Sequence, residues 1–487
     1  MNLKHWCELD ELIYVSETDE QYKQYAGLGY NEKLIEQLAE IKISNSQIFI
    51  NFFIEPRELL LGSVEDIAYS KTKKLELELH NTRNTKIASS RHMFKNSPVN
   101  WSNWRQFNSL EADHKNRKDV FDEFIGKTSH IKPIIEKRFS LIKQIYKDLG
   151  AGNGIDPISA YLEEENISYN QMIEFIKSMG QRAKKPFREA LKEVSNAILG
   201  REPDYYDDFY FFRNKVYYDI DRNFSGIDPV IEAKKIATNL DFDITKIHFD
   251  TEERKNKYPS PICFFVRIPD DIRVLYKRES PIFDFQACFH ETGHAIHASS
   301  VDANNEYWNK YRISMGIAEI FSTFLERLTK NGDYLRSLFG STDSDQTIIN
   351  KLVARTHFME LFFVTFYTAN SLMKLEYWRQ NLSVDQACEV YSQLIKEYTG
   401  FDMPGEYWLL HHILPESIMY VPSYLLAAVR AAELDNYIRG KFGNTWWRQK
   451  ESGKNLREIM RPGAAIDLSI FSRLDSTIFI NEITEWS

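Results

Sequence analysis

The chain has 487 residues, 43% of them hydrophobic, 27% charged and 14% aromatic, with a formal net charge of −9. That balance is ordinary for a folded globular protein with a large core, and the acidic excess argues against nucleic acid or an anionic membrane as the main partner. Cys7, Cys263, Cys288 and Cys388 are scattered without a C-x-x-C pair, which fits a reducing compartment rather than a disulfide framework.

The first ten residues lack a basic stretch followed by an apolar core, so no signal peptide is expected and the expected location is cytoplasmic. The most apolar runs, 48–54 and 359–373, are too short or carry polar residues such as Glu360, so no membrane span is implied. Helices are expected over 31–41, 65–79 and 120–149, and the glycine-rich stretch 150–157 reads as a loop. Further helices are expected over 170–199, closed by Gly200, and over 229–240. Residues 262–268 and 272–277 are β-rich runs separated by Pro269-Asp270-Asp271, a hairpin signal. A strand edge there could take an extended peptide as an added strand.

A helix is expected next. Ser280 offers a hydroxyl for its N-cap, Pro281 suits its first position and Asp284 suits the positive end of its dipole. Inside it lies His290-Glu291-Thr292-Gly293-His294. On a helix, residues four apart leave the same face, so His290 and His294 can bind one cation. Glu291 then lies close enough to act on a water at that cation without occupying a coordination position. Cys288, two residues before His290, has no ligand spacing and reads as a buried thiol.

A tetrahedral hydrolytic zinc site needs a third protein ligand and leaves one position for water. Residues 314–330 carry apolar side chains at helical spacing, with Ser314 as a candidate cap and Asn331-Gly332 as a stop. Glu319, Ser322 and Glu326 share the polar face of that helix. Glu319 is the first candidate for the third ligand and Asp302, in the turn region between the helices, is the reserve. Helices are then expected over 345–380 and 383–398, followed by a C-terminal run through Tyr437, with Gly453, Pro462 and Gly463 marking turns. There is no internal repeat and no glycine-rich phosphate loop.

The run from His290 to His297 resembles the active-site helix of the thimet-oligopeptidase and oligoendopeptidase F family of zinc metallopeptidases, a group of gluzincins. That family has H-E-F-G-H-A-x-H, so the chain departs at Thr292. The family's E-x-x-S-x-x-x-E pattern is matched by Glu319, Ser322 and Glu326. The resemblance implies one zinc ion per chain held by His290, His294 and Glu319, Glu291 as catalytic base, and hydrolysis of peptide bonds in short peptides. Ser322 and Glu326 would support the ligands. The family also carries a histidine and tyrosines on a late helix that donate hydrogen bonds to the oxyanion. His411, His412, Tyr420 and Tyr424 are the candidates here, although the family's Gly-Gly-Tyr is replaced by Pro415-Glu416-Ser417 and its paired tyrosines by Val421-Pro422.

The implied fold is mainly α: two helical lobes flanking a deep substrate channel, with a small antiparallel β-sheet beside the zinc helix. An N-terminal helical lobe is expected at 1–205 and a catalytic lobe at 206–487. A metallocarboxypeptidase or dipeptidyl carboxypeptidase of related fold is the main rival. It would need a basic residue for the substrate C-terminus, with Arg273, Lys277, Arg430 and Arg461 as candidates. A non-catalytic peptide-binding protein is a more distant alternative. The sequence leaves the oligomeric state open.

Overall fold

Helix boundaries follow the capping residues. The computed structural model describes residues 2–485 apart from 54, 88–89, 255–256, 259–260, 279, 412–413 and 472–473, and its elements are overwhelmingly helical. Asn2 starts α1 (Leu3–Tyr25) and Asn31 starts α2 (Glu32–Phe52), each side chain accepting from a backbone N–H of the first turn. The second helix runs past the expected end at 41. Ser44 turns its hydroxyl onto Glu40 O, and the buried Asn45 amide donates to Asp10 of α1, so both polar side chains find a partner without ending the helix. The helix expected over 120–149 is instead two, His114–Lys127 and Lys132–Ile145, with a short 3₁₀ turn between them. Pro133 lacks the N–H needed to continue a helix and sits at the start of the second. Capping boxes at Ser168 and Ser383 open Tyr169–Leu199 and Val384–Thr399, and both end on glycines with left-handed backbone, Gly200 and Gly400.

The described residues pack as two compact units, each drawn from three stretches of chain. The first comprises Met1–Ser70, Ile220–Val353 and Leu426–Phe479; the second comprises Lys71–Asp219, Ala354–Leu425 and Ile480–Ser487. In the second unit the core is rich in stacked aromatics, with Phe139 against Tyr377 and Trp378, and Phe212 on Phe362 at 3.8 Å between ring centres.

The first unit holds a three-stranded sheet of β1 (Ile247–Asp250), β2 (Ile262–Arg267) and β3 (Asp271–Leu275), in the order β1-β3-β2. The expected hairpin is present: β2 pairs antiparallel with β3, Phe264 opposite Arg273. The sheet as a whole is mixed rather than antiparallel, because β1 adds to β3 in parallel with Ile247 opposite Ile272. Only four residues long, β1 carries too little alternation to announce its pairing. One face of β2, with Phe264 and Val266, is buried against Tyr22 of α1 and Ala26, which caps that helix. Cys263 and Phe265 are turned the other way along the strand.

Two helices follow the sheet, α3 (Pro281–Ser300) and α4 (Met315–Glu326). Ser280 occupies the N-cap position of α3 but its hydroxyl does not cap the helix; it donates to Asp221 Oδ1 at 3.2 Å. Asp221 Oδ1 also accepts the Ile282 N–H at 2.9 Å, so the cap comes from elsewhere in the chain. Ser314 likewise makes no side-chain cap on α4. Beyond Glu326 the backbone tightens to a 3₁₀ turn through Lys330, and Asn331 caps the next helix instead of closing this one. The connector between α3 and α4 is anchored by Arg312, which donates to Asp10 at 3.0 Å and to Asp66 at 2.7 Å.

The two helices meet at Gly293. A Cβ there would lie 2.3 Å from Phe321 O and 2.6 Å from Ser322 Cα, both backbone atoms that no side-chain rotation can move. Alanine would gain about 1 kcal/mol of helix propensity, but overpacking of this kind typically costs about 1–3 kcal/mol or more, so the clash wins. Gly293→Ala is expected to lower the melting temperature and weaken metal binding together. A thermal melt with a metal titration checks this, and a stabilised variant with unchanged affinity would contradict it.

Candidate metal centre

The face of α3 opposite its apolar core presents His290 and His294 one turn apart, with ring centres 5.0 Å apart. The close approach at Gly293 brings Glu319 of α4 to both. Glu319 Oε2 lies 3.2 Å from His290 Nε2 and 3.5 Å from His294 Nε2. One ligand atom from each of the three falls within 4.8 Å of the others, the only such trio of metal-ligating groups among the described residues. Zinc bonded at about 2.0–2.1 Å in tetrahedral geometry would separate its ligand atoms by about 3.3 Å. The two gaps to Glu319 straddle that value.

The surroundings orient these groups. His290 Nδ1 is 2.9 Å from Glu326 Oε2, which fixes the ring and leaves Nε2 facing Glu319. Ser322 Oγ donates to Glu319 Oε2 at 2.9 Å, fixing the carboxylate. The sites are largely dry, with side-chain exposures of 23% for His290, 11% for His294 and 4% for Glu319.

Electrostatics agree with a cation site. Burial pushes the Glu291 carboxyl up to about 7; the neighbouring His290 opposes this, Glu319 and Glu326 add to it, and the Cys263 N–H on β2 favours the carboxylate. Burial pushes His294 down to about 4, against the attraction of Glu319. For His290, burial opposes protonation, but hydrogen bonds to Glu319 and Glu326 outweigh it and hold the pKa well above the usual range. Three carboxylates thus crowd two imidazoles in a buried setting, and a divalent cation would offset their mutual repulsion. The donor set fits zinc.

His297, one turn further on, is fully buried over the Phe321 ring at 4.3 Å and is pushed down to about 3, chiefly by burial. It is a neutral packing residue. Asp302, the reserve ligand, is tied to Arg461 at 2.5 Å and to Asn304, away from the trio. Of the basic candidates for a substrate C-terminus, Arg273 is paired with Asp19 and Asp271, Arg430 donates to Gly316 O, and Arg461 holds Asp302. Lys277 has no ion-pair partner among the described residues.

The second unit gathers the other candidates. Tyr424 lies 4.9 Å from Tyr420 and 5.0 Å from Tyr367 by ring centres, and Tyr367 lies 6.5 Å from the buried His411. His412 falls outside the described residues. Sequence reasoning missed Tyr367, the Cys263 N–H and Asp221. None carries a local signal, since each acts through partners distant in the chain.

The model of peptidase family M3 matches residues 240–425, a span that takes in the sheet, both helices and the His411–Tyr424 segment. No curated protein is similar enough in sequence to match. Among solved structures, the fold is similar to a metallocarboxypeptidase from Trypanosoma cruzi at 15% identity and TM-score 0.64, covering 97% of this chain and 96% of that one. An M32 carboxypeptidase from Deinococcus radiodurans is similar at 14% and 0.62, covering 98% and 96%. A protein described as an oligoendopeptidase F from Bacillus anthracis is similar at 14% and 0.59, covering 100% and 95%. No helix among the described residues is long and apolar enough to cross a membrane. Residues 240–425 thus resemble peptidase family M3, and the chain is a metallopeptidase.

Proposed function

We propose that the protein hydrolyses internal peptide bonds of short peptides with one zinc ion per chain. His290, His294 and Glu319 would hold the ion, and the observation that carries this reading is the convergence of their three ligand atoms within 4.8 Å. Bound zinc would polarise the scissile carbonyl and acidify water. Glu291 would take the proton from that water and pass it to the leaving amine. Tyr424, His411, Tyr420 and His412 are the candidates for donors to the oxyanion. Glu326 and Ser322 would hold His290 and Glu319 in register. Four free thiols are in keeping with a cytoplasmic location.

The rival reading is a carboxypeptidase, which shares the fold with two of the neighbours above. Arg273, Arg430 and Arg461 are engaged by other groups, which leaves Lys277 as the basic candidate for that reading. A library of end-blocked, internally quenched peptides, run with and without chelator, tests this. Chelator-sensitive cleavage of blocked peptides is expected. Release of residues solely from free C-termini would establish the rival, and no chelator-sensitive cleavage of any peptide would end both.

A further inference from the structure

Within the second unit, the stretch 410–418 has four backbone carbonyls captured by side-chain donors. Arg105 Nη2 donates to Leu410 O at 2.5 Å and Lys374 Nζ to Leu414 O at 2.7 Å. Arg138 Nη1 donates to Pro415 O at 3.3 Å, and Trp378 Nε1 to Ile418 O at 2.9 Å. Arg83 adds an ion pair to Glu416. Surface loops ordinarily satisfy such carbonyls with water. Here three cations are spent on them, two of which are fully buried: Lys374 is 1% exposed and Arg138 0%.

Lys374 is the costliest of these. Its ammonium sits 4.6 Å from the Phe139 ring centre, and burial holds its pKa well below the usual lysine range, with Arg138 adding to the effect and Glu416 opposing it. A methionine would fill the same space at no charge cost. What the amine supplies and a thioether does not is a donor aimed at Leu414 O, three residues after His411. His411 is buried between Phe366 and Tyr367, at 5.9 Å and 6.5 Å by ring centres, so its ring follows the backbone that carries it.

We propose that Lys374, with Arg105 and Arg138, is a positioning residue that clamps the backbone at Leu410, Leu414 and Pro415 and thereby sets His411 and Tyr420 for the reaction. The catalytic half of this rests on the reading of His411 as an oxyanion donor given above; the clamp itself does not. Lys374→Met is the test, in the full-length zinc-loaded protein. The amides of the 407–420 peptide should exchange faster with deuterium, while zinc content holds. The melting temperature should change little, because relief of the buried amine offsets the lost donor to Leu414 O. Turnover should fall about tenfold with KM moved less than about threefold, the mark of misplaced groups rather than lost binding. The double variant with His411→Ala should be no slower than His411→Ala alone.

Unchanged exchange over 407–420, or turnover equal to the parent, would overturn the proposal. So would losses from Lys374→Met and His411→Ala that simply multiply. Normal turnover in His411→Ala by itself would instead remove the oxyanion reading, with the exchange measurement still deciding the clamp.

Discussion

Glu291→Gln is expected to lower turnover by about 10³-fold while the protein keeps its metal. The substitution preserves shape, and the amide oxygen can still accept the Cys263 N–H that the carboxylate accepts now. Only the capacity to take up a proton is lost. Binding of substrate and metal should therefore be retained, and kcat and kcat/KM should fall together. Stability should not suffer either. The buried carboxyl is repelled by Glu319 and Glu326, so replacing it relieves strain in the metal-free protein. The sign of the pH dependence follows. An acid whose pKa is raised on folding, here from 4.5 to about 7, favours the folded state below its unfolded pKa. That contribution is lost as pH rises toward 7. Chelator-treated parent protein should melt lower at about pH 7.5 than at about pH 5 through this group, and Glu291→Gln should lack that component of the slope. Near-parental turnover in the glutamine variant would remove Glu291 from the chemistry.

Glu319→Ala is expected to lose the metal. Two imidazoles from one helix turn give only two of the three protein ligands that a hydrolytic zinc site needs, and the reserve candidate Asp302 is committed to Arg461. The affinity should drop by well over about 100-fold, more than the 10- to 100-fold typical of losing a group that merely orients a ligand. Glu326→Gln supplies that comparison: it weakens the hold on His290 Nδ1 without removing a ligand, so its loss should be about 10- to 100-fold. Competition against a chromophoric chelator ranks the two. Equal losses, or a Glu319→Ala protein that binds zinc as the parent does, would contradict the assignment of the third ligand.

The convergence of His290, His294 and Glu319 was legible because it depends on short-range periodicity. Four-residue spacing on α3 sets His290 and His294 on one face, and the apolar pattern of 315–326 leaves Glu319 and Glu326 on the other side of their helix. Gly293 is equally local in sequence, yet its reason is the backbone of Phe321 and Ser322, which no window around residue 293 contains. The caps divide the same way. Ser168 and Ser383 cap their own helices, each paired with the residue three on, Gln171 and Gln386. Ser280 was expected to cap α3 and does not, because Asp221 outcompetes its hydroxyl from 61 residues away. The parallel strand β1 fell below the reach of alternation, and two units each assembled from three separated stretches leave no compositional step at their borders. The carbonyl clamp on 410–418 is the extreme case: Arg105 reaches Leu410 across 305 positions.

Diffraction from a crystal of the active protein at the zinc absorption edge tests the central claim most directly. One anomalous peak is expected, within about 2.0–2.2 Å of His290 Nε2, His294 Nε2 and a Glu319 carboxylate oxygen. A catalytically competent crystal with no peak at that point, or with Glu319 turned away from it, would contradict the account.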